Sequence, residues 1–85
     1  MNRAALIGIM VEDTECAKHI NEILHQYNQY IIGRMGIPHV KQKLNIISVA
    51  LDAPNDVISA LSGKLGKLKG VSTKTIYSKV FDEEE

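Results

Sequence analysis

Ala4 to Val11 is apolar on both alternating faces, with Ala5, Ile7, Ile9 and Val11 on one and Ala4, Leu6, Gly8 and Met10 on the other. Such a run predicts a central strand covered on both sides. Asp13-Thr14-Glu15 follows, with residue types that cap free N–H groups and suit a helix's positive end. Cys16, Ile20, Ile23, Leu24 and Tyr27 then recur at helical spacing. Asn28 reads as a left-handed terminator. Tyr30 to Ile37 predicts a second strand, loosened by Gly33 and Gly36 and stopped by Pro38. His39 to Lys43 is a mostly polar hairpin loop, and Leu44 to Leu51 a third strand. Asp52 to Asp56, with Pro54 suited to a first turn, opens a second helix. Its stripe is Val57, Leu61, Leu65 and Leu68, flanked by Ile58, and Gly70 ends it. Val71 to Lys79 is a fourth strand. The expected layout is one domain over residues 1–81 and a disordered acidic tail, Asp82 to Glu85.

The order β-α-β-β-α-β predicts an α+β, ferredoxin-like βαββαβ sandwich. Right-handed crossovers give a four-stranded antiparallel sheet in the order 4-1-3-2, with both helices on one face. Ile7, Ile9, Ile47 and Val49 should meet the helices. Leu6, Gly8, Met10, Ile46, Ser48 and Ala50 should line the open face. That face is largely apolar, and such patches mark a partner. The expected partner is a second copy, in a homo-oligomer (dimer or tetramer).

Composition adds mainly exclusions. Eighty-five residues with 45% apolar content make one small domain, with a stability of about 4–13 kcal/mol on the usual per-residue scale. Association would add to that. Ten basic and ten acidic residues balance, so no overall field draws nucleic acid or anionic lipid. Cys16 is the only cysteine, which fits a reducing cytoplasm. No apolar run approaches the ~20 residues of a membrane span. The apolar start lacks a small-residue cleavage site and runs directly into Glu12-Asp13.

Candidate chemistry is sparse. Cys16 and His19 lie three apart on one predicted helix, and His39 lies in the hairpin. They do not make a convergent donor set, so no metal and no cofactor is expected. There is no nucleophile elbow, phosphate loop or paired-cysteine motif, so no catalytic residue is assigned. RNA-recognition domains of this topology stack bases on aromatic residues of the first and third strands, and both strands lack them here. Lys64, Lys67, Lys69 and Lys74 read as a solvated face. Arg34 stands between two glycines, and its guanidinium can fork onto a carboxylate or a neighbouring subunit. The candidate ligand or subunit contacts are Arg34, Gly33, Gly36, Val11, Glu12, Asp13 and Thr14. An exposed arginine beside bulge glycines explains the same residues, and both readings stay open.

Several strings carry a resemblance: Ala5-Leu6-Ile7-Gly8-Ile9, Asn21-Glu22-Ile23-Leu24-His25 and Gly33-Arg34-Met35-Gly36-Ile37-Pro38. Asn45-Ile46-Ile47-Ser48, Leu51-Asp52-Ala53-Pro54-Asn55-Asp56 and Gly63-Lys64-Leu65-Gly66 extend it. From Arg3 to Lys79 the chain resembles the family of regulators of the iron-only hydrogenase system. That family's fold is similar to the ACT domain and to the sensor half of the nickel-responsive repressor. The resemblance implies a self-associating unit with a small effector between subunits. No ribbon-helix-helix segment precedes the first strand, which argues against direct nucleic-acid binding, and the repressor's clustered histidines are missing around the second and third strands, which argues against a metal site. Two non-catalytic readings follow: a ligand-responsive or protein-interacting regulatory domain, or a structural assembly factor for hydrogenase maturation.

Overall fold

Alternation along the strands decides the layering. In the computed structural model, which describes residues 1–39, 41 and 43–81, β1 (Arg3–Val11) buries Ala5, Ile7, Ile9 and Val11, whereas Leu6 and Met10 stay 41% and 44% exposed on its other face. The chain continues through α1 (Ala17–Gln26), β2 (Ile31–His39), β3 (Leu44–Ala53), α2 (Asn55–Gly66) and β4 (Val71–Phe81). The strands lie in the order β2-β3-β1-β4, all antiparallel. This is the expected 4-1-3-2 ferredoxin-like arrangement.

Register places the faces. Ile7 opposes Val49 and Thr75, while Leu6 opposes Ala50 and Ile76. Ile20 and Leu24 of α1 and Ile58, Leu61 and Leu65 of α2 complete one core with the inward face of the sheet. Ile47 packs against that core. Arg3 ties the end of the sheet to α2: it donates to Ser78 O and Asn55 Oδ1 and lies 4.9 Å from the Tyr77 ring centroid.

Local departures from the sequence reading have local causes. β2 is not stopped by Pro38 but runs through it to His39, because an edge strand can lose one N–H on its outer side. β3 likewise continues to Ala53, so Pro54 is the residue before α2 rather than part of its first turn. Asn28 is not left-handed: the positive-φ residues among those described are Lys43 and Gly70. Asn28 instead opens a 3₁₀ turn to Tyr30, closed by Tyr30 N–H to Tyr27 O at 2.9 Å. Asp13 Oδ1 accepts from Glu15 N–H at 3.0 Å, but it caps a 3₁₀ turn (Thr14–Cys16) that precedes α1. α2 ends at Gly66, short of Gly70, and Leu68 packs on the core from the following turn. Gly70, at φ +76°, makes the left-handed bend into β4.

The two sheet edges differ. β2 carries an irregularity between Ile31 and Gly33 and then Pro38. β4 runs from Val71 to Phe81 without glycine or proline, with a register shift against β1 between Ala5–Tyr77 and Arg3–Phe81. The predicted hairpin residues Val40 and Gln42 and the predicted tail, Asp82 to Glu85, lie outside the described residues.

Candidate functional site

β2 presents Arg34, Gly36 and Pro38 to the helix side of the sheet, opposite Val49, Ile47 and Asn45. α1 does not cover this edge completely. Between them lies a cleft of about 240 Å³. Its apolar wall is formed by Val11, Ala17, Ile20 and Ile47, and its polar groups are Arg34, Asn21 and Asn45. Arg34 Nη2 donates to Asn21 Oδ1 at 3.0 Å, which ties the edge strand to α1. Among the described residues, aspartate and glutamate are absent from the lining.

The glycine at this cleft is informative. A Cβ added to Gly36 would meet no atom within 4 Å, and its φ is not positive. Neither backbone conformation nor close approach requires a glycine there. What its missing side chain leaves is open space over the strand, beside Arg34.

The predicted contact residues therefore divide. Arg34, Gly36 and Val11 line one cleft. Gly33 pairs with Ala50 and belongs to the opposite face. Glu12 and Asp13 turn away to the α2–β4 bend, where Glu12 N–H donates to Gly70 O at 2.7 Å. The Thr14 side chain lies outside the description. Asn21 and Asn45 are contributors that the hydropathy pattern missed. Asn21 follows Ala17 by one helical turn, a phase that points it at β2 only once α1 is docked.

Leu6, Gly8, Met10, Ile46, Ser48 and Ala50 all lie on the helix-free side of the sheet. They are joined there by Ile32, Met35, Ile37 and Ile76, the last 67% exposed. Lys74 stands on this face beside Gly8. Two depressions mark it, one of about 280 Å³ by Leu6, Ile32 and Ile76 and one of about 360 Å³ by Met10, Ser72 and Lys74.

Other candidates resolve locally. Cys16 is half-buried beside the core, and its thiol reaches Lys69 O at 3.1 Å. His19 pairs with Glu22 at 3.8 Å on the surface of α1. Among the described residues, no three His, Cys, Asp or Glu side chains come together as a metal-binding group. No helix among them is long and apolar enough to cross a membrane.

Comparison with known proteins places this geometry. The chain resembles the "uncharacterized protein TM1266" of Thermotoga maritima, with a TM-score of 0.89 and 36% identity over 93% of this chain and 100% of that one. CutA1, the "divalent ion tolerance protein" of Ehrlichia chaffeensis, shares the fold at 16% identity, with a TM-score of 0.51 over 98% and 88% of the two chains. A "Putative nickel-responsive regulator" of Saccharolobus solfataricus is 29% identical over 66 residues, which is 78% of this chain and 49% of that protein. A Saccharolobus islandicus protein of the same name is 26% identical over the same shares. The chain thus spans about half the length of the curated relatives it matches. Residues 3–75 match the profile of the TM1266-like family, described as "Iron-only hydrogenase system regulator, putative". Since that match runs from the first strand well into the last, the chain belongs to the TM1266-like family.

Proposed function

We propose that this chain is a non-catalytic regulatory domain that associates with a second copy of itself through the helix-free sheet face and responds to a small effector in the Arg34 cleft. The observation that carries the reading is the character of that face. Leu6, Met10, Ile32, Met35, Ile37 and Ile76 are large, apolar and exposed together. A soluble monomer rarely keeps so much contiguous apolar surface in water. Four strands ~4.8 Å apart and about nine residues long span roughly 20 × 30 Å before side-chain relief is counted. That is comparable with the ~800 Å² each partner contributes to a stable interface.

The family and relatives' names support a regulator, and the cleft supplies a place for an effector near the β2 edge. Sedimentation of the wild type and of Leu6→Lys tests the association. The wild type should run as a dimer or larger species, and Leu6→Lys as a folded monomer. A wild type that stays monomeric at high micromolar concentration overturns the reading. A stable oligomer whose mass and partner binding ignore every cleft ligand favours the structural assembly factor instead.

A further inference from the structure

We infer that the cleft between α1 and the β2 edge binds a small monocarboxylate, with its carboxylate on Arg34 and Asn21 and its apolar body against Ile20 and Ile47. The inference deepens the effector reading and rests on it for its regulatory meaning, though not for the binding itself.

Charge decides the head group. Among the described residues Arg34 is the one ionised side chain in the lining, and no described carboxylate opposes it there. A guanidinium offers five N–H donors. Among the described residues Arg34 has one protein partner, Asn21 Oδ1. The remaining donors suit a forked contact with two oxygens. Asn21 accepts from Arg34 with its oxygen, which leaves its amide nitrogen as a donor beside the guanidinium. One positive charge balances one carboxylate. A phosphate dianion would bring a second charge with no second cation among the described lining residues to meet it. The described lining has no acid to hold an ammonium group, so a simple carboxylate fits better than an amino acid.

Shape decides the body. The cleft's 240 Å³ corresponds to about eight waters at ~30 Å³ each. It lies below the ~300–1,000 Å³ of pockets for drug-sized ligands. Its wall beyond the polar groups is aliphatic, from Val11, Ile20 and Ile47. The empty space above Gly36 extends the cleft beside the guanidinium. A side chain at Gly36 would fill it without touching any protein atom within 4 Å at its Cβ. A short aliphatic acid satisfies both ends.

The test is calorimetric titration of the full chain with sodium hexanoate, with hexanol, hexylamine, norleucine and inorganic phosphate as comparisons. Hexanoate should bind saturably at millimolar concentration or below, and hexanol and hexylamine should not. Norleucine and phosphate should bind more weakly than hexanoate. Arg34→Gln should weaken hexanoate by about tenfold or more, the loss expected for a charged hydrogen-bond pair. Gly36→Val should abolish binding while the protein stays folded by circular dichroism. The inference is overturned if hexanoate fails to bind, or if it binds Arg34→Gln and Gly36→Val as it binds the wild type. Tighter binding of phosphate or norleucine than of hexanoate also overturns it. Specific binding that leaves the oligomer unchanged in sedimentation upholds the site and counts against the regulatory reading alone.

Discussion

Asp13 and Gly70 come so close that no side chain fits between them: a Cβ on Gly70 would lie 2.6 Å from Asp13 Cβ and 3.1 Å from Asp13 N. The contact fixes the exit of β1 against the bend into β4, and Glu12 N–H to Gly70 O seals it. Gly70→Ala adds left-handed strain, worth about 1–2 kcal/mol, to a backbone collision. The total loss should be roughly 2–4 kcal/mol, read as a fall in the urea midpoint at unchanged slope.

Leu61 is fully buried between α2 and the sheet. Leu61→Ala should cost about 2–5 kcal/mol through lost transfer energy and a cavity. For a domain of ~4–13 kcal/mol that is a large share. Thermal melts should show either a strongly lowered transition or a chain already unfolded at 25 °C.

Association through the helix-free face makes stability depend on concentration, because the native state alone has a partner to bind. The melting temperature of the wild type should climb with protein concentration. Ile76→Lys, at a position 67% exposed within one chain, should melt at a temperature independent of concentration. Parallel melts over a hundredfold dilution series check it.

Gly36→Val bears on stability as well as on binding. Valine favours a strand where glycine weakens one, and no atom lies within 4 Å to resist the new Cβ. The variant should be more stable by about 0.5–1 kcal/mol, measured by urea unfolding. A gain in stability with loss of hexanoate binding would mark Gly36 as a residue kept for the space it leaves.

Much of the fold was legible because alternation is a two-valued signal. Ile7 and Ile9 on one face and Leu6 and Met10 on the other follow directly from a period of two, and the register confirms which pair is buried. Element ends were less legible. Pro38 reads as a stop unless its strand is known to be an edge, and Asn28 reads as left-handed unless the following 3₁₀ turn is known. Arg34 was legible as an isolated cation between glycines. Its partner Asn21 was not, because their pairing depends on how α1 is rotated against β2. Glu12 and Asp13 do not line the cleft for a related reason: adjacency to Val11 in sequence does not carry past the turn toward Gly70.

The two edges of the sheet limit how this protein can grow. An irregularity at Ile31–Gly33 and Pro38 spoil the β2 border, and the β4 border keeps its register only from Val71 to Tyr77 before it shifts toward the Arg3–Phe81 end. In the language of polymer chemistry both growth ends of the sheet are partly capped. Neither border presents a regular ladder over its full length, which disfavours open-ended strand addition.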